Sequence, residues 1–66
     1  MKIILIDDEP PALRLLMQML QKLTPSSIVV STCSNLKDGI SAIYNLRPDL
    51  VFVDIEMLRQ KGHFNI

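Results

Sequence analysis

The chain has 66 residues, 48% of them hydrophobic and 21% charged, with seven basic and seven acidic side chains cancelling to a net charge of zero. That length confines it to a single domain with a thin core, since chains this short bury only about 60% of the surface they expose when unfolded. The composition lies well away from that of a disordered, charge-rich segment, and the charge balance, with no basic run, gives no reason to expect nucleic acid or an anionic membrane as a direct partner.

Met1-Lys2 is followed by only four apolar residues, Ile3 to Ile6, before two aspartates. This is too short for a signal-peptide core or a bilayer span, so a cytoplasmic location is expected. Lys2 to Asp7 reads as a strand buried on both faces, an isoleucine-rich run closed by acids. Asp8 and Glu9 open a turn into Pro10-Pro11, and proline suits a first helical turn, where its missing N–H has no partner to lose. Leu13, Leu16, Met17, Leu20 and Leu23 then recur at helical spacing, predicting an apolar stripe that Leu15 and Met19 widen. Thr24-Pro25-Ser26-Ser27 stops that helix, and Ile28-Val29-Val30 begins a second strand running to about Cys33. Cys33 has no second cysteine to pair with, so a buried, inert thiol is expected.

Ser34 or Asn35 caps a second helix whose apolar side is Leu36, Ile40, Ile43 and Leu46, with Gly39 a weak point inside it. Arg47-Pro48-Asp49 breaks the chain, and Leu50-Val51-Phe52-Val53 is a third strand, apolar at every position and stopping at Asp54. After Glu56 neither alternation nor a helical period persists. Residues 57–66 are expected to be a loop or the start of a third helix, at Phe64.

Strand-helix-strand-helix-strand is the order of two right-handed parallel crossovers, and the chain is therefore α/β. If the second and third strands flank the first, the sheet order is 2-1-3, and a crevice opens between the first and third strands at their carboxyl ends. Asp7, Asp8 and Asp54 end those two strands. Brought together unpaired, they repel, and a hard divalent cation with oxygen ligands is the simplest neutraliser. Mg2+ suits such a site because it takes one or two carboxylates, keeps several waters and accepts phosphate oxygens. A carboxylate can also attack phosphorus to give an aspartyl phosphate, so the chemistry points to phosphoryl transfer. The plainer alternative is that Asp8 and Glu9 serve only the positive end of the first helix and Asp54 merely closes a strand. The joint arrangement is much rarer than either feature alone and favours a site.

Ile3-Ile4-Leu5-Ile6-Asp7-Asp8-Glu9-Pro10, and Arg47 through Met57 with Asp54 at the end of its strand, resemble the receiver domain of two-component response regulators. The resemblance runs from Lys2 to about Gly62 and implies a partial flavodoxin-like fold. The crevice rule was itself drawn from folds of that kind, so the two supports are not independent. By the resemblance, Asp54 takes phosphate from a phosphohistidine of a sensor histidine kinase. Asp8 and Asp54 would ligate Mg2+ directly, Asp7 through water, and the Glu56 backbone carbonyl would add a ligand, leaving the Glu56 side chain beside the path of an attacking water. The Asp-Asp-Glu-Pro opening with Ala12 and Leu13, and the Asp-Ile-Glu-Met run, lean toward receivers joined to LytTR-type DNA-binding domains. DNA would then be reached only through an output domain outside this chain, and transcription regulation would be the outcome.

Departures from the family pattern are specific. Leu58 replaces the proline usual after the methionine, which loosens the loop there. Gly62 keeps its register. His63 stands where a hydrophobic residue is usual and reads as a solvent-facing loop or helix-start residue, since a lone histidine rarely makes a metal site. The family's fourth and fifth strands, ending in a hydroxyl residue and a lysine that contact the phosphoryl group, are lacking. Phe52, inside the third strand, does not replace the family's distant switch aromatic. The expectation is a truncated receiver over residues 1–66, impaired in phosphotransfer and prone to self-association through the uncovered edge of the third strand. A non-catalytic interaction or dimerisation fragment is the competing reading. A metal-dependent phosphatase fits less well, because Glu56 stands where such enzymes place a second aspartate.

Overall fold

In this computed structural model the structure describes residues 1–60. The chain runs β1 (Lys2–Ile6), α1 (Pro10–Leu23), β2 (Ile28–Cys33), α2 (Leu36–Leu46), β3 (Leu50–Val53) and α3 (Ile55–Gln60). All strand pairs are parallel and the sheet order is β2-β1-β3, the partial flavodoxin-like arrangement with β1 at its centre. The apolar run of β1 matches that position: Ile3, Ile4 and Leu5 expose nothing and Ile6 only 3%. A strand with neighbours on both edges and helices on both faces has no polar side on which a polar residue would be favoured.

Alternate β1 side chains serve opposite faces. Ile4 and Ile6 join Cys33 and Met57 in a core cluster against which Leu36, Ala42 and Ile43 of α2 pack, together with Val30 and Val51. Ile3 faces the other way, onto a cleft of about 480 Å³ shared with Met17 and Leu20 of α1. The β1–β2 register slips once, Ile3 pairing with Val29 but Ile4 with Ser31, so Val30 is the extra residue of a bulge. The bulge lets Val30 reach the α2-side cluster, while Ser31 comes within 3.5 Å of the buried Cys33 thiol. Cys33 is thus the buried free thiol expected.

Local chemistry sets the ends of α2. Asn35, of the two candidates, is the cap: its Oδ1 accepts the Asp38 N–H at 2.8 Å and its own amide donates to the Asp38 carboxylate at 2.9 Å. The helix ends on Arg47 in the left-handed region, with φ 48°. The Lys2 ammonium donates to the Leu46 carbonyl at 3.1 Å, and the Lys2 N–H donates to the Asp49 carboxylate at 2.7 Å. The Asp49 N–H returns a bond to the Lys2 carbonyl at 2.8 Å, so the amino end of β1 is tied to the turn before β3.

Three expectations are corrected. On α2 the face toward the sheet is Leu36, Gly39, Ala42 and Ile43, whereas Ile40 is exposed. Gly39 is buried against Ile6, whose Cγ1 lies 3.0 Å from where a β-carbon would stand, so the helix axis approaches the sheet at the position with no side chain. On α1 only Leu13, Leu16 and Leu20 of the predicted stripe are half-buried, while Leu15, Met17, Met19 and Leu23 face solvent. A sheet of three strands is too narrow to cover a wider stripe. Finally, the third helix begins at Ile55, not Phe64, so residues 57–60 are helix and no loop. His63 and Phe64 lie outside the described residues. Among the described residues no helix is long and apolar enough to cross a membrane.

Candidate functional site

The β1–β3 pairing ends with Ile6 opposite Val53, which sets the next residues, Asp7 and Asp54, side by side beyond the sheet. Backbone bonds carry the ladder one step further. The Asp54 N–H donates to the Ile6 carbonyl at 3.0 Å, and the Asp7 N–H donates to the Cys33 carbonyl at 3.0 Å. Asp7 is therefore held from the β2 side and Asp54 from the β1 side, and the two acids converge over the centre of the sheet.

Each of these acids also turns its chain from strand into helix. Asp7 Oδ1 accepts the Glu9 N–H at 2.9 Å before α1, and Asp54 Oδ1 accepts the Glu56 N–H at 3.0 Å in the first turn of α3. A short acidic side chain bonding the amide two residues on is the usual way such a turn closes. Asp8 follows Asp7 and is exposed, and one carboxylate oxygen from each of Asp7, Asp8 and Asp54 lies within 4.8 Å of the others. The sequence-predicted acids are thus brought together, Asp7 and Asp54 half-buried and Asp8 at the rim.

Among the described residues no lysine or arginine forms an ion pair with any of the three. The ion pair present there joins Arg59 to Glu56 at 3.2 Å, one turn apart on α3. A cluster of carboxylates without a protein cation suits a hard divalent ion, and the donor set, oxygen throughout, suits magnesium better than metals that favour nitrogen or sulfur. Cys33 contributes its backbone to the site while its thiol stays in the core. Glu56, whose carbonyl is the expected fourth ligand, stands in the first turn of α3.

Two features of the site escaped the reading of the sequence. Asp54 caps α3, and Met57, 4% exposed, anchors that helix in the core cluster. The available signal was the order Asp54-Ile55-Glu56-Met57, an N-cap residue type followed by helix formers with an acid in the first turn.

Residues 3–64 match the model of the response regulator receiver domain family. The transcriptional regulatory protein BtsR of Escherichia coli K12 is 44% identical over 61 residues, which cover 92% of this chain and 25% of that protein. A response regulatory protein of Yersinia pestis is 42% identical over 62 residues, 94% of this chain and 26% of its own length. Protein-glutamate methylesterase/protein-glutamine glutaminase 3 of Geobacter sulfurreducens is 34% identical over 61 residues, 92% of this chain and 16% of that protein. The chain thus spans about a quarter or less of the length of these relatives. No solved structure gives a significant match.

Proposed function

The chain belongs to the response regulator receiver family of two-component systems, and from that premise we propose that Asp54 accepts a phosphoryl group from a sensor histidine kinase beside a magnesium ion held by Asp7, Asp8 and Asp54. The observation that carries this reading is the convergence of three carboxylate oxygens within 4.8 Å at the ends of two paired strands, without a neutralising lysine or arginine among the described residues.

In the transfer, a carboxylate oxygen of Asp54 forms a bond to phosphorus as the bond from phosphorus to the donor imidazole nitrogen breaks, and the electron pair leaves with the imidazole. Magnesium, when bound, offsets negative charge on the carboxylates and the incoming phosphoryl group. Asp54 is aligned for attack by its backbone bond to Ile6 and its side-chain bond to Glu56. Asp8, at the rim, would hold the ion directly and Asp7 would act through water. The Glu56 carbonyl would add a ligand, and the Glu56 side chain would tune loss of the phosphoryl group to water. The domain is a phosphoacceptor and not a turnover enzyme. Its partner is a kinase phosphohistidine in the cytoplasm, and the name of the Escherichia coli relative, a transcriptional regulatory protein, supports a transcriptional output; an output domain of LytTR type is the reading of the Asp-Asp-Glu-Pro and Asp-Ile-Glu-Met runs.

Acetyl phosphate with magnesium tests the reading by mass spectrometry. The expected result is a base-labile phosphoryl adduct on the parent chain and none on Asp54→Asn. A parent chain that stays unmodified overturns it and favours the second reading, an interaction fragment. That alternative draws on the exposed Leu15, Met19 and Leu23 of α1 and on self-association through the outer edge of β3, measurable by size-exclusion chromatography.

A further inference from the structure

Asp54 belongs both to the acid cluster and to the start of α3. Its carboxylate accepts the Glu56 N–H at 3.0 Å and its carbonyl accepts the Met57 N–H at 3.1 Å, so the first turn of α3 is built on this one residue. Among the described residues two further contacts bear on α3. Met57 is buried beside Ile4, Ile6 and Cys33, while the Arg59–Glu56 pair has both side chains more than 60% exposed, where ion pairs contribute little. By contrast α2 takes its cap from Asn35, outside the acid cluster, and cannot sense that cluster through its cap.

We propose that the first turn of α3 is a conformational reporter of the chemical state of Asp54, formed while the carboxylate is free and loosened when it is phosphorylated. This rests on the phosphoacceptor reading of Asp54. With acetyl phosphate as donor, one carboxylate oxygen bonds to phosphorus, the phosphorus–oxygen bond to the acetyl group breaks, and acetate leaves with the electron pair. The capping group changes from an anion with charge on both oxygens to an anhydride whose carbonyl oxygen is uncharged. A hydrogen bond to an ionised acceptor is about twice as strong as a neutral one, so the Glu56 N–H loses its charge-assisted partner. Met57 lies one residue further along, and loosening at Glu56 frees the only buried side chain of α3's first turn from the face of the sheet.

Amide hydrogen exchange, read by NMR on the 66-residue chain, tests this with the parent, Asp54→Asn and Asp54→Ala. Asparagine cannot be phosphorylated and offers the Glu56 N–H an uncharged carbonyl, so Asp54→Asn exchanges at Glu56 at a rate between those of the parent and Asp54→Ala, and that rate does not change with acetyl phosphate and magnesium. Asp54→Ala removes the cap, and exchange at Glu56 rises by roughly two- to thirtyfold. The parent shifts toward the alanine variant on phosphorylation, while the amides of Ile4 to Ile6 do not change. Equal exchange in Asp54→Ala and the parent overturns the proposal, as does a phosphorylated parent whose Glu56 exchange is unchanged. A parent that takes up no phosphoryl group overturns the phosphoacceptor reading and the coupling with it, and the mass spectrum separates that failure from the other two.

Discussion

Replacing Asp8 by asparagine should stabilise the metal-free protein and weaken its response to magnesium, two effects of opposite sign from one change. Asp8 is exposed, its side chain makes no hydrogen bond among the described residues, and one of its carboxylate oxygens lies within 4.8 Å of an oxygen of Asp7 and of Asp54. Two unit charges about 4 Å apart repel by about 1 kcal/mol in water, and more where the protein displaces solvent. At the exposed rim the water value applies, and salt reduces it further, so counting both neighbours Asp8→Asn gains about 1 kcal/mol. Magnesium reverses the order. An ion that binds only the folded chain stabilises it by about 2.7 kcal/mol at a hundred times its dissociation constant. A tenfold loss of affinity on removing one ligand charge lowers that gain by about 1.4 kcal/mol. Urea unfolding followed by circular dichroism reads both effects, since the chain has no tryptophan and a single tyrosine. The unfolding curves of parent and variant should change places when magnesium is added. A variant less stable than the parent without magnesium, or one that gains as much from the ion, would refute the claim that the three acids repel and share a cation.

Gly39→Ala tests the close approach of α2 to the sheet. The new methyl group meets Ile6, 3% exposed, with Cγ1 at 3.0 Å, and overpacking of this kind costs about 1–3 kcal/mol against about 1 kcal/mol gained from helix propensity. A net loss of about 1 kcal/mol in urea unfolding is expected, partly recovered in the double variant with Ile6→Val, and an alanine variant as stable as the parent would contradict the packing. Arg47→Gly should raise stability by about 0.5–1 kcal/mol in the same assay, because Arg47 holds φ 48° and a side chain is strained there. Its response to magnesium should equal the parent's, since Arg47 closes the opposite end of β3 from the acids.

The elements that build the site were legible because their signals are local and redundant. Ile3 to Ile6 is apolar without a break and ends in acids, and Leu50 to Val53 does the same, so the strands and their carboxylate ends could be read together. Elsewhere the deciding contact lay in another element. Gly39 reads as a weakness when only α2 is considered, yet it is the residue that lets the helix approach Ile6, and Ile40 consequently turns to solvent. The bulge at Val30 has no sequence marker, because valine suits a regular strand as well as a bulged one. The start of α3 was missed because its first turn is closed by the Asp54 side chain, which the sequence reading assigned to chemistry alone.

That dependence explains why the three acids are not equivalent. Asp7 and Asp54 each bond a backbone amide two residues ahead, so each carries a structural turn as well as a charge, and removing either carboxylate exposes an amide at the start of a helix. The same amides offset part of the charge that the pair brings to one corner of the sheet. Asp8 has no such partner among the described residues and sits at the rim, free to turn toward an ion or away from it. In the proposed site, two acids are fixed by the fold, and the third would close on an ion without breaking a hydrogen bond found among the described residues. Charge can therefore be removed at Asp8 without breaking a turn, whereas truncating Asp7 or Asp54 removes the charge and the turn's acceptor together, and asparagine separates the two by keeping an acceptor without the charge.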